Sequence, residues 1–187
     1  MTKNTQLTPL GLAALASLAE RPMHPYEMYQ LLISRSEDRL IKVRPGTLYH
    51  AIGRLEQAGL VEAVGTDRDG NRPERTTYCI RPAGRAALEL RVKDLLAEPV
   101  NEYPSFPLAV AEAHNLPAGV VVELLARRLA SLQEELDSLA AGIESLEKRS
   151  VAAKYWIDLL YQRTVLAAEM QWITELCADL ESGAMAW

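Results

Sequence analysis

Thr47, His50, Arg54 and Gln57 are four hydrogen-bonding side chains spaced at three and four residues, with no carboxylate among them. Residues so spaced share one face of a helix, which turns about 100° per residue. Their common chemistry is proton donation, to which Arg54 adds positive charge. The opposite face is apolar: Leu48, Ile52 and Leu55 recur at i, i+4 and i+7 and must turn to a core. Pro45 suits the first turn of this helix, where its missing N–H is not needed, and Gly59 suits the position past its end, where φ is positive. Residues 39–54 hold four cations, Arg39, Lys42, Arg44 and Arg54, and no acid. A donor-rich, acid-free helix face fits the base edges and flanking phosphates of a DNA major groove, although an ordinary solvated basic face has the same composition.

Other chemistries find little support. His24, His50 and His114 are dispersed, and the sequence has no HExxH, no nucleophile motif and no phosphate-binding loop. Cys79 and Cys177 belong to no CxxC or Cys/His cluster and are expected as buried, reduced thiols. No enzyme activity, metal or cofactor is expected. The chain of 187 residues is 49% hydrophobic, enough for an ordered core, and carries a net charge of -5. That charge is unevenly shared. Residues 1–95 hold 14 Lys and Arg against 11 Asp and Glu, whereas residues 96–187 hold 6 against 14. The acidity thus belongs to the second half, and the first half is net basic. No apolar run approaches the ~18 residues of a membrane span and the first residues are polar, so a cytoplasmic protein without membrane association is expected.

The elements that would position the donor face follow from caps and periodicity. Thr8-Pro9 opens a helix with Leu7, Leu10, Ala14 and Leu18 as its apolar stripe, and Arg21-Pro22 ends it. His24-Pro25 opens a second helix in the same way, with Tyr26, Tyr29, Leu32 and Ile33 expected among its buried side chains; His24 is expected as a capping or turn residue rather than a ligand. The helix from Pro45 is third, completing helix-turn-helix order. Residues 60–64 and 76–80 then read as paired strands around Asp69-Gly70, with Thr76, Tyr78 and Ile80 on one face. Arg68, Arg72 and Arg75 belong to this hairpin beside Asp67, Asp69 and Glu74. The hairpin is expected to touch phosphates or a minor groove, or else to be a solvated loop.

Pro45-Gly-Thr-Leu-Tyr-His-Ala-Ile-Gly-Arg-Leu-Glu-Gln-Ala-Gly-Leu-Val, preceded by His24-Pro-Tyr-Glu-Met and followed by Thr77-Tyr-Cys-Ile-Arg-Pro-Ala-Gly-Arg, resembles the winged helix-turn-helix of PadR-type transcriptional regulators over residues 8–90. Three positions depart from the family pattern: Pro25 stands for the usual glycine, His50 for the usual proline, and Arg81-Pro82 for the usual threonine-led cap. The resemblance implies that Thr47, Tyr49, His50 and Arg54 lie at the DNA surface, with Lys42 and Arg44 near the backbone at the helix start. Arg72 and Arg75 are the expected contacts from the wing. Tyr49 could equally be a core residue whose hydroxyl reaches a phosphate. Gly53 weakens the helix by about 1 kcal/mol relative to alanine.

Pro82 starts a fourth helix expected to run to about Ala97, with Ala83, Ala87, Leu90 and Asp94 or Leu95 marking its path to the second domain. The proline-rich residues 99–107 break it. From Pro117 a long helix carries Leu125, Leu129, Leu132, Leu136, Leu139, Ile143 and Leu146 at alternating spacings of four and three, a heptad seam. Residues 153–180 form its partner, with Trp156, Leu159, Leu166, Met170, Ile173, Cys177 and Leu180, joined by a turn at Arg149-Ser150. The expected fold is mainly α with a small β-hairpin wing. A winged helix-turn-helix domain over residues 1–97 precedes a C-terminal antiparallel helical hairpin over residues 98–187 that forms a dimeric bundle.

The seam residues, together with Leu166, Met170 and Ile173, are the expected dimerisation residues. A two-fold homodimer would place two recognition helices on an inverted repeat of double-stranded DNA. Phe106, Tyr155, Trp156, Tyr161 and Trp172 gather in this half as a candidate effector pocket, or as packing residues. In PadR-like proteins the helical C-terminal domain serves dimerisation, and members sense small molecules. The expected function is sequence-specific transcriptional regulation, as a repressor responding to a small-molecule effector. The alternative is a winged-helix adaptor that uses the same helix face for protein.

Overall fold

The computed structural model describes residues 7–67 and 75–187. It divides into two compact units, Met1–Asn101 and Glu102–Trp187.

In the first unit, α1 (Pro9–Glu20) begins where Thr8 Oγ1 accepts the Gly11 N–H at 3.1 Å. The next helix, α2 (Pro25–Ser34), begins where His24 Nδ1 accepts the Tyr26 N–H at 3.0 Å. Both use proline at the first turn, where the fixed φ suits the helix and no donor is wasted. A single 3₁₀ turn at Glu37–Arg39 leads to α3 (Pro45–Gln57). That helix ends in a Schellman arrangement: Gly59 has φ +69°, its N–H donates to Glu56 O, and the Leu60 N–H donates to Leu55 O.

Two antiparallel strands follow, β1 (Val61–Asp67) and β2 (Arg75–Ile80), with Val61 opposite Ile80 and Ala63 opposite Tyr78. The register slips between Ala63 and Gly65, which twists the hairpin beyond the core. Met23 adds a short bridge by exchanging both backbone hydrogen bonds with Tyr78 at 3.1 Å. The helix α4 (Pro82–Ala97) then closes the unit. Its core is Leu15, Leu18, Met23, Met28, Leu32, Leu48, Ile52 and Val61, all fully buried or nearly so.

Several packing expectations are corrected here. Tyr26 and Ile33 are exposed, because α2 buries Pro25, Met28 and Leu32 on a line they do not share, while Tyr29 is half-buried and packs against the core. Along α4 the packed line is Gly84, Ala87 and Leu88, while Ala83 and Leu90 face outward. Both cysteines are free, but each is half-buried rather than buried.

In the second unit the proline-rich stretch contains a short helix, α5 (Ser105–Ala111). Pro107 falls within its first turn, where proline is tolerated. After a 3₁₀ turn at Ala113–Asn115 come α6 (Ala118–Lys148) and α7 (Ile157–Ser182), joined through Ser150 in the left-handed region and a 3₁₀ turn at Ala153–Tyr155. The two long helices pair antiparallel. From α6 they bury Val121, Leu125, Leu132, Leu139 and Ile143; Trp156, Leu159, Leu166, Ile173 and Leu180 answer from the other side. From Leu159 to Leu180 the period is seven, the repeat of a coiled-coil seam.

The fold is therefore mainly α with a two-stranded wing, as the sequence patterns indicated. Among the described residues no helix is long and apolar enough to cross a membrane, and no cluster of His, Cys, Asp and Glu is arranged to hold a metal.

Candidate nucleic-acid interface

Packing fixes which way α3 faces. Leu48, Ala51, Ile52 and Leu55 are buried against α1 and α2, so the helix cannot rotate without losing four apolar side chains from the core. Its outward residues include Gly46, Thr47, His50, Arg54 and Gln57, all exposed. Thr47, Tyr49, His50, Gly53, Arg54 and Gln57 line one open concavity on this face. Gly53 has no side chain to fill it.

The cations of this unit divide into paired and free. Arg21 bonds Glu27 at 2.7 Å, Arg81 lies 3.6 Å from Glu62, and Arg35 meets Glu20 through two parallel hydrogen bonds, Nη1 to Oε1 and Nη2 to Oε2. The bonded arginines hold the Glu20 and Glu27 carboxyls below their usual range. Lys42, Arg44 and Arg54, by contrast, have no side-chain hydrogen bond or ion pair among the described residues. All three are exposed. Positive charge left unneutralised around the start and outer face of one helix is available to an external anion.

Two predicted positions behave differently from the rest. The Thr47 hydroxyl donates to Arg44 O at 2.9 Å, so its proton is committed to closing the first turn of α3, leaving an acceptor outward. Tyr49 is 46% exposed, and its ring meets His24 edge-on with centroids 5.8 Å apart. It is thus at the surface, on the flank nearest the start of α2. His24 was legible as a cap, but its contact with Tyr49 depends on a tertiary crossing that carries no local signal. The wing residues Arg68 and Arg72 lie outside the described residues, as does the side chain of Arg75.

In the second unit the residues expected to join subunits are placed inside the chain's own hairpin. Leu125, Leu132, Leu139 and Ile143 are buried against Leu166 and Ile173, with Leu129, Leu136, Leu146 and Met170 packed at the edges. Of the five aromatic residues only two meet: Phe106 and Trp172 lie edge-to-face with centroids 6.5 Å apart. Arg128 stacks 3.6 Å above the Phe106 ring and bonds Glu169 at 2.7 Å, tying α5, α6 and α7 together. Trp156 is buried and donates its Nε1 proton to Val151 O at 2.9 Å, a packing role, while Tyr155 and Tyr161 point into solvent. Sequence reasoning did not find Arg128 and Glu169, because their pairing spans 41 residues across the hairpin.

Three helices, a buried-faced third helix and a following two-stranded wing define a winged helix-turn-helix protein. Residues 14–90 match the model of the transcriptional regulator PadR-like family. The fold likeness extends over nearly the whole chain. PadR of Bacillus subtilis, solved in complex with operator DNA, superposes with a TM-score of 0.78 at 16% identity, covering 92% of this chain and 99% of that one. The same Bacillus subtilis protein solved with p-coumaric acid gives 0.74 at 16% identity, covering 92% and 98%. A PadR-like transcriptional regulator from Bacillus cereus gives 0.64 at 14% identity, covering 92% and 99%. No curated protein matches the sequence.

Proposed function

We propose that the protein is a sequence-specific DNA-binding transcriptional regulator that acts as a homodimer on an inverted repeat and represses its target. The observation that carries the proposal is the charge pattern of α3: Lys42, Arg44 and Arg54 are unpaired around an outward face that also bears His50 and Gln57. Arg21, Arg35 and Arg81, elsewhere in the unit, are neutralised by carboxylates, and Arg39 and Arg85 bond backbone carbonyls. A face meant only to be solvated gains nothing from keeping acids away, whereas one that meets phosphates does.

Homodimerisation is supported by what α6 and α7 leave over after pairing. Tyr161, Val165 and Trp172 lie at i, i+4 and i+11 on α7 and stay exposed, with Ile157 beside the helix start. This second apolar stripe suits a second copy of the chain. The Bacillus subtilis protein, solved with operator DNA and with p-coumaric acid, brings DNA and a small aromatic effector into the proposal; the Phe106–Trp172 pair supplies a fluorescent reporter for the latter.

The test is selection of bound duplexes from a random-sequence pool, with molar mass measured by light scattering on the same preparation. The expected result is a two-fold symmetric consensus and a mass of two chains. Failure to retain any duplex above background would refute the DNA reading, and a one-chain mass with Val165→Asp unchanged would refute the dimer. Steep loss of affinity with added salt separates DNA binding from a protein-adaptor role.

A further inference from the structure

We propose that Gly53 determines specificity within the DNA-reading face, the concavity over it receiving the C5-methyl group of a thymine. The inference rests on the DNA-binding proposal and deepens it. Gly46, His50, Gly53 and Gln57 fall at i, i+4, i+7 and i+11, one line along α3 directly opposite Leu48, Ile52 and Leu55. Gly53 is the floor of the concavity on that line, and Tyr49, His50, Arg54 and Gln57 are its walls.

Nothing inside the protein asks for glycine at this position. A Cβ built on Gly53 finds no atom within 4 Å, and the backbone there is ordinary helix. Other glycines have internal reasons: Gly84 faces a carbonyl at 2.2 Å from where its Cβ would be, and Gly59 and Gly183 have positive φ. Open space is shared by Gly46 at the start of the same line and by Gly119 and Gly142 on α6, so space alone is not the argument. The argument is position: a helix-weakening residue is kept between two donors on the outermost line, where glycine permits close approach of the backbone to a ligand.

The chemistry of the concavity selects the group it takes. Its floor is the Gly53 backbone and its Tyr49 wall is aromatic, so the bottom offers no strong donor. The C5-methyl of thymine is the apolar group exposed in the major groove. Around it His50, Arg54 and Gln57 can donate to purine N7 or guanine O6 on neighbouring pairs. A Cβ at position 53 would occupy the volume the methyl group needs.

The test compares wild type and Gly53→Ala on the duplex recovered from the random pool, and on the same duplex with each thymine replaced singly by uracil, which lacks only the methyl group. For wild type, one replacement per half-site is expected to weaken binding about three- to fivefold, the worth of burying one methyl. Gly53→Ala, whose Cβ fills the methyl's volume, is expected to bind the thymine duplex about tenfold more weakly and to ignore that same replacement. It should also melt about 2–4 °C higher than wild type, which shows that the loss does not come from misfolding. Wild-type indifference to every replacement, or undiminished binding by Gly53→Ala, would overturn the inference while leaving DNA binding intact. If wild type retained no duplex at all, the DNA-binding proposal itself would fall.

Discussion

Replacing Gly84 with alanine tests how tightly the start of α4 is held against the wing. A Cβ at position 84 would lie 2.2 Å from Leu60 O, 2.9 Å from Ile80 Cγ1 and 3.1 Å from Leu60 C. The nearest obstacle is a backbone carbonyl that cannot turn aside, because it accepts the Arg81 N–H at 2.9 Å. Either α4 retreats by about 1 Å or that hydrogen bond breaks. Overpacking of this kind costs about 1–3 kcal/mol, and an immovable partner places this case near the upper value. Alanine recovers at most about 1 kcal/mol through better helix propensity. The net expectation is a loss of about 2 kcal/mol, or roughly 4–8 °C in melting temperature for a chain of this size. Thermal unfolding followed by circular dichroism reads it directly, with Gly119→Ala as the control: that glycine has open space, and its replacement should raise the melting temperature. Equal melting of Gly84→Ala and wild type would show that the close approach of α4 to Leu60 is not present in solution.

Arg54→Ala should weaken binding to the selected duplex by about 1–3 kcal/mol and relax one base position, whereas Lys42→Ala should weaken all duplexes alike and lower the salt slope by about one; anisotropy titrations at several salt concentrations distinguish them. Leu139→Ala removes a 1% exposed side chain from the α6–α7 seam and should destabilise by about 2–5 kcal/mol, measured by urea unfolding. Acid should weaken the α1–α2 contact: the Arg35 hydrogen bond lowers the Glu20 carboxyl from 4.5, so its contribution is complete above that value and is lost as pH falls through the lowered one. Both side chains are over 40% exposed, which limits the effect to about 1 kcal/mol, and Glu20→Gln should abolish that part of the difference between neutral and acid melting.

The parts legible from sequence are those governed by neighbours along the chain. Thr8-Pro9, His24-Pro25 and Pro45 announced three helix starts, and Gly59 announced an end, because caps act within one turn. The apolar line of α3 was legible too, so the identity of its outer face followed. What escaped was set by crossings. Gly84 looks like any helical glycine until Leu60 O is placed beside it. Met23 reads as the residue after a proline turn, yet its backbone pairs with Tyr78 far along the chain. Tyr26 and Ile33 were assigned inward by hydrophobicity, but α2 has room to bury only one narrow line. The seam of α6 was read correctly as apolar and continuous, and its first partner is the neighbouring helix of the same chain.

The charge of the chain makes a related point about what a total can hide. A net charge of -5 argues against an affinity for phosphate only if the charges act together, and at physiological ionic strength fields fade within about 8 Å. Within that range, what counts is which cations already have a carboxylate. Arg21, Arg35 and Arg81 contribute to the count but are spent on Glu27, Glu20 and Glu62. Lys42, Arg44 and Arg54 are not. A single carboxylate introduced within salt-bridge reach of Arg54 therefore alters the reading face itself. Gln57→Glu makes that change three residues along the same face, near the distance at which helical side chains meet. It should cost more DNA affinity than Gln133→Glu on α6, although both alter the net charge by the same amount. Equal losses from the two would show that the total, rather than the local pairing, governs the encounter with DNA.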